Sequence, residues 1–152
     1  PRFQEAEALL PRPSPETDLV ADYAAVGLSL GQHPLALLRP RLDARRVCVA
    51  SQLWALANGA LARVAGVVVG RQRPGSASGV IFVTLEDESG CVNVVVWPKH
   101  AEAQRKALLG STILLVTGTV QQEDGVLHLV AGRLEDISGW LAKLRPRSRD
   151  FH

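Results

Sequence analysis

The chain has 152 residues, an apolar fraction of 47% and a formal net charge of +2. That length fits one domain, or one small domain with an extension, and the apolar share is ordinary for a packed globular protein. No apolar run approaches the roughly 18 residues needed to span a membrane, no basic-then-apolar leader opens the chain, and Cys48 and Cys91 make neither a disulfide framework nor a zinc site, so two reduced thiols in a cytosolic protein are expected.

The start at Pro1 rather than Met points to a piece of a longer protein. Residues 1–17 read as the end of an upstream element, with a short helical pattern at Phe3–Leu10, followed by a proline-rich linker. Residues 18–60 read as a helical connecting segment. Thr17 or Asp18 caps a helix over Leu19–Val26, which Gly27 ends. A second short helix runs from His33-Pro34 to Leu38, with Pro34 in the first turn and Pro40 as its stop. A third covers Ala50–Asn58, capped by Ser51, with Leu53, Trp54, Leu56 and Ala57 at helical spacing.

Residues 61–137 then read as five strands and one helix. Ala62–Arg71 is the first strand, with Gly66 and Gly70 as bends where a long strand coils. A polar loop follows to Gly79. Val80–Glu86 is the second strand, Asp87–Gly90 a hairpin turn and Cys91–Trp97 the third strand. Pro98–Leu109 is a helix ended by Gly110; Thr112–Gln122 and Val126–Arg133 are strands four and five, joined at Glu123-Asp124-Gly125. Residues 138–152 form a terminal helix, Ser138–Leu144, and a basic tail. This order predicts a mainly β fold: a five-stranded OB barrel with one helix between strands three and four. OB barrels mostly bind single-stranded nucleic acid or oligosaccharide on one strand face.

Side chains alternate along a strand. Ile81, Val83 and Leu85 make the better inward set, which turns Phe82 and Thr84 outward. In strand three Val92, Val94 and Val96 face in, while Asn93, Val95 and Trp97 face out; a buried Asn would need partners. Phe82 and Trp97 thus become candidates for base stacking, against the alternative that Trp97 merely covers the barrel end. Arg71 and Arg73, beside Gly75, Ser76, Ser78 and Gly79, are candidates for gripping phosphate in the loop after strand one. His128 is a further candidate from strand five. Thr84 and Asn93 complete the nucleic-acid-binding set.

From Leu61 to Ile137 seven basic residues meet eight acidic ones, so the barrel carries one net negative charge. The positive charge lies in the flanks, at Arg39, Arg41, Arg45 and Arg46 and at Lys143, Arg145, Arg147 and Arg149. Nucleic-acid affinity comes largely from phosphate neutralisation, so the barrel should bind weakly alone or need its neighbours. Glu86-Asp87-Glu88 reads as a solvated turn rather than a metal site. His33, His100, His128 and His152 lack metal-ligand spacing. No P-loop, nucleophile motif or other catalytic constellation is present, and no cofactor is expected. Ser51–Leu56 resembles the Gln-Leu-plus-bulky peptides that dock on sliding clamps, but its apolar spacing favours a helix packed on the barrel. The tail Arg145–His152 reads as a solvated end, against the alternative of a docking peptide anchored by Phe151.

Three stretches carry a family resemblance. Val69-Gly70-Arg71-Gln72-Arg73-Pro74-Gly75 leads to Gly79-Val80-Ile81-Phe82-Val83-Thr84-Leu85-Glu86-Asp87-Glu88, then a Val-rich strand and Trp97-Pro98. Asp22-Tyr23 through Gly27-Leu28-Ser29-Leu30 and His33-Pro34-Leu35 precedes it, and Ser148-Arg149-Asp150-Phe151-His152 ends the chain. From about Asp18 onward, the sequence resembles the C-terminal region of the bacterial error-prone C-family DNA polymerases, the ImuC branch related to the replicative DnaE polymerase. The resemblance implies an OB module near the single-stranded template in translesion synthesis and repair. It also implies that the metal-binding carboxylates lie upstream, and that the partners are the rest of the polymerase chain, a pseudo-polymerase subunit and the sliding clamp. Arg-Gln-Arg-Pro-Gly stands where the replicative branch has a Lys-Gly-rich loop.

Overall fold

A computed structural model describes residues 32–74 and 79–144. The helical patterns at Phe3–Leu10 and Leu19–Val26, the tip of the first loop and the basic tail lie outside the described residues. The elements are helix α1 (Pro34–Ala44), a 3₁₀ turn (Ala50–Ala55), β1 (Leu61–Gln72), β2 (Ile81–Asp87), β3 (Gly90–Val96), α2 (Pro98–Ala103), α3 (Arg105–Gly110), β4 (Ile113–Glu123), β5 (Val126–Asp136) and α4 (Trp140–Leu144).

The strands close into a barrel in the order β1-β2-β3-β5-β4, with β4 returning to β1. All neighbours are antiparallel except β3 and β5, which run parallel over Asn93–Val95 and His128–Val130. Closure gives every described strand two neighbours. β1 is shared: Leu61–Val67 pairs with β4 and Val67–Gln72 with β2. The bend between the two halves depends on Gly66. A Cβ there would stand 2.8 Å from the Glu86 amide nitrogen and 2.9 Å from the Leu85 Cβ, so any side chain would force β1 and β2 apart.

Two cores form. Inside the barrel, Val64, Val83, Leu85, Val94, Val96, Leu114, Val116, Val120 and Leu129 fill the space between the strands. Leu53 from the 3₁₀ turn and Ala101 and Leu108 from α2 and α3 join that cluster. Outside the barrel, Ala65 of β1 and Ile113 and Leu115 of β4 meet Leu35, Leu38 and Leu42 of α1 and Ile137, Trp140 and Leu141 around α4. The described part of the connecting segment therefore packs on the barrel, over its β1–β4 wall. Arg41 lies 3.8 Å over the Trp140 ring and fastens α1 to α4 from outside.

Three local expectations are corrected. Pro40 does not stop α1, which continues to Ala44. Leu42 is fully buried in the outer core, and that packing offsets the hydrogen bond a mid-helix proline removes. His33 caps the helix, its Nδ1 accepting the Leu35 N–H at 3.0 Å, and Pro34 occupies the first turn. Ala50–Asn58 is a 3₁₀ turn over Ala50–Ala55, not an α-helix capped by Ser51. The single helix expected over Pro98–Leu109 breaks at Gln104 (φ −122°). Gln104 instead clamps β5: its Nε2 donates to the Gly132 carbonyl at 3.1 Å and its Oε1 accepts the Leu134 N–H at 2.7 Å.

Candidate nucleic-acid interface

Pairing on β2, β3 and β5 decides which side chains share the outer wall. Thr84, Asn93 and His128 lie side by side in one row across the three strands. Phe82, Val95 and Val130 form the next row. The Thr84 hydroxyl donates to Asn93 Oδ1 at 3.2 Å. Across the diagonal, the Phe82 and His128 rings lie 6.5 Å apart between centroids, tilted by 47°, within the range of aromatic pairs. The wall thus offers two ring faces for stacking beside a hydroxyl and an amide for hydrogen bonding. In these rows Asn93 is exposed and Phe82, Thr84, His128 and Val130 are half-buried, while Val95, expected to face out, is buried between its neighbours.

Arg71 is not at this surface, which corrects the expectation that it grips phosphate. It is 6% exposed. Its Nε–H donates to the Leu108 carbonyl at 2.6 Å and its Nη2 donates to the Ser111 carbonyl, so it ties β1 to α3 and to the start of β4. Burial holds its pKa below the ordinary arginine value. The cause is a bulge. Val68 pairs with Leu85 and Gly70 with Thr84, which leaves Val69 without a partner. One extra residue inverts the facing of all that follow, so Arg71 joins the inward Val83 and Gln72 joins the outward Phe82. Gln72 is a face residue absent from the set expected from sequence. The only local signal was a glycine at position 70 in a strand pattern, which marks bulges as well as bends.

Arg73 is exposed. It lines a cleft with Gly79, Pro98, Glu102 and Arg105, so two guanidinium-bearing residues flank the base of the first loop. Trp97 is half exposed, one residue past the Ile81–Val96 pair that ends the β2–β3 ladder. Gly75, Ser76 and Ser78 lie outside the described residues.

The acidic turn is the hairpin expected, with Glu86, Glu88, Ser89 and Gly90 exposed, but one of its carboxylates is not solvated. Asp87 is 4% exposed. Its Oδ2 accepts the Ala50 N–H at 2.7 Å, and its Oδ1 accepts from the Ser89 N–H, the Ser89 hydroxyl and the Gly90 N–H. Glu88 takes a two-pronged grip from Arg39, at 2.6 and 2.9 Å. The turn therefore anchors both the 3₁₀ turn and α1. Arg45 holds Glu135 in the same two-pronged way, at 2.9 and 3.0 Å. Burial raises the Glu88 pKa, but the Arg39 hydrogen bond and charge outweigh it and hold the carboxyl below its ordinary value. The Arg45 hydrogen bond lowers Glu135 likewise. Flank arginines that looked available for phosphate thus neutralise the barrel's own acids.

Comparison with known proteins agrees with the barrel fold. The sequence profile described as "OB-fold nucleic acid binding domain" matches residues 62–137. The chain is 61% identical over 151 residues to the error-prone DNA polymerase of Methylococcus capsulatus, covering 99% of this chain and 14% of that protein. It is 55% identical over 150 residues to the error-prone DNA polymerase of Alkalilimnicola ehrlichii, of which it spans 15%. The chain therefore corresponds to about one-seventh of the length of these curated relatives. Among solved structures, asparaginyl-tRNA synthetase from Pyrococcus horikoshii aligns with 53% of this chain and 20% of its own, at 28% identity and a TM-score of 0.45.

Proposed function

This chain belongs to the OB-fold nucleic acid binding domain family, and from that premise we propose that it is the single-stranded DNA-binding module of an error-prone DNA polymerase. In this reading it holds the template strand during translesion synthesis and DNA repair in the bacterial cytoplasm. Nucleotidyl transfer then belongs to the rest of the polymerase, because no catalytic constellation is read in these 152 residues.

One observation carries the proposal. The β1–β4 wall is sealed by α1 and α4, whereas the β2–β3–β5 wall presents the Phe82–His128 ring pair beside the Thr84–Asn93 hydrogen bond. Bases stacking on aromatic side chains gain about 1–3 kcal/mol each with little sequence preference, as a polymerase reading any template requires. Thr84 and Asn93 offer polar contacts to base edges, and Arg73 stands at the loop end for a phosphate.

Weak charge sets the expected salt dependence. With Arg71 buried and Arg39 and Arg45 paired to acids, phosphate contact falls in this reading to Arg73 and its neighbour Arg105 alone, one or two charges. The slope of log K against log salt should then be about −0.7 to −1.4 for a single strand. Fluorescence anisotropy of a labelled oligonucleotide at several salt concentrations tests this. Binding with that shallow slope, weakened by Phe82→Ala, supports the reading. Absence of binding at low salt would reject it and favour a docking role toward partner subunits or the sliding clamp.

A further inference from the structure

We propose that Trp54 is a second stacking platform, which extends the single-stranded track from the Phe82–His128 pair across Asn93 and over the β4–β5 turn. The inference rests on the template-binding reading and adds a residue and a direction to it.

Trp54 belongs to the 3₁₀ turn, where the neighbouring Leu53 is fully buried in the barrel core. Trp54 itself is 54% exposed. Such exposure is unusual for a tryptophan, which is highly buried on average. Its backbone is held at both ends. Gln122 Nε2 donates to the Trp54 and Leu56 carbonyls, each at 3.2 Å. At the other end, Asp87 accepts the Ala50 N–H and Ser89 Oγ accepts the Ser51 N–H at 3.0 Å. A ring on a backbone fixed in advance loses little freedom on binding, which is the economy that aromatic anchors exploit.

The surroundings name the occupant. Trp54 lines a shallow groove with Cys91, Asn93, Gly125 and Val126. Asn93 belongs to the outer row with Thr84 and His128. Val126 also lines the adjoining groove that contains His128 and Gln121. The Trp54 groove is thus continuous with the proposed strand-binding wall. Its volume is about 250 Å³, below the roughly 300–1,000 Å³ of sites that enclose a whole small molecule. It suits a single ring laid against an indole, and the strand already on the wall supplies a base at that place.

The test compares oligothymidylates of about 4 and about 16 nucleotides, the extremes of OB site sizes, by anisotropy on the 152-residue chain. Trp54→Ala should weaken the longer strand about 5-fold or more and leave the shorter one unchanged, while Trp54→Phe restores most of the loss. Urea unfolding checks that the variant keeps its fold. A readout without truncation is intrinsic fluorescence: saturation with the longer strand should quench the wild type more than Trp54→Phe. Wild-type binding of the longer strand by Trp54→Ala, with Phe82→Ala still impaired, would overturn the inference and leave the template-binding reading intact. An equal loss on both lengths would also overturn the extension. No binding by the wild-type chain would remove both.

Discussion

The guanidinium of Arg71 donates from Nε to the Leu108 carbonyl at 2.6 Å, joining the end of β1 to α3 beneath the barrel. An arginine in a loop-proximal Arg-x-Arg pair thus serves the fold rather than a ligand. Arg71→Ala would leave the Leu108 and Ser111 carbonyls without their donor. An unsatisfied buried polar group costs about 1–3 kcal/mol, so urea unfolding should show a loss of that size. DNA affinity of the folded variant, and its salt slope, should match the wild type; a phosphate contact would instead flatten the slope by about 0.7.

Phe82 and His128 should act together. Phe82→Ala is expected to weaken single-strand binding by about 1–3 kcal/mol with a smaller effect on stability, because the side chain is only half buried. A double-mutant cycle with His128→Ala reads their coupling in the complex. A coupling of about 0.5–1.5 kcal/mol fits two rings in one stack; strict additivity would place them on separate contacts.

Asp87→Asn is nearly isosteric, yet it should destabilise. Asp87 is buried and receives four donors: the N–H groups of Ala50, Ser89 and Gly90 and the Ser89 hydroxyl. An amide turns one oxygen into a donor, which then faces another donor. A loss of about 1–3 kcal/mol is expected. Exchange of the Ala50 and Ser51 amide protons should accelerate more than exchange along β4, because the 3₁₀ turn loses its anchor first.

The Arg39–Glu88 contact predicts a pH dependence. Glu88 has a depressed pKa in the folded chain, so the unfolded chain takes up the proton first as pH falls. The contribution to stability is complete above the ordinary glutamate value of about 4.3 and drains as pH falls through the folded value. Both side chains are mostly covered, at 16% and 22% exposure. A contribution of about 1 kcal/mol, the upper end for exposed pairs, is expected. Glu88→Gln should lower stability by that amount at pH 7 and narrow the gap to the wild type below pH 4. A constant gap across that window would assign the contact no ionic role.

Arg46 closes α1 at φ +62°, with its N–H bonded to the Asp43 carbonyl at 3.0 Å. This left-handed conformation costs a side-chain-bearing residue about 1–2 kcal/mol, and glycine favours it after a helix. Arg46→Gly should therefore raise the melting temperature, even after the greater freedom of glycine in the unfolded chain is subtracted. Calorimetry checks this, and a lowered melting temperature would mean that the Arg46 side chain makes a contact worth more than the strain.

The barrel was legible in the residues themselves. Alternating Ile81-Phe82-Val83-Thr84-Leu85 and Val92-Asn93-Val94-Val95-Val96 declared both the strands and their inward sets, because a two-residue period leaves one consistent way to bury a wall. Asp87–Gly90 and Asp124-Gly125 placed the turns, and Pro98 the first helix after β3, through their own backbone preferences. The outer positions of Phe82, Thr84, Asn93 and His128 followed from the same alternation. Tertiary structure decided what depends on partners remote in sequence. A single unpaired residue, Val69, turned Arg71 inward and Gln72 outward, since register beyond a bulge is set by the neighbouring strand. The 3₁₀ turn packed against Asp87 buried that one carboxylate of the acidic turn, and the docking of α1 consumed Arg39 on Glu88. The same packing carried the helix past Pro40, where local preference alone would end it. Local chemistry thus settled which segments are strands, while long-range pairing settled which of their charged side chains remain available to a ligand.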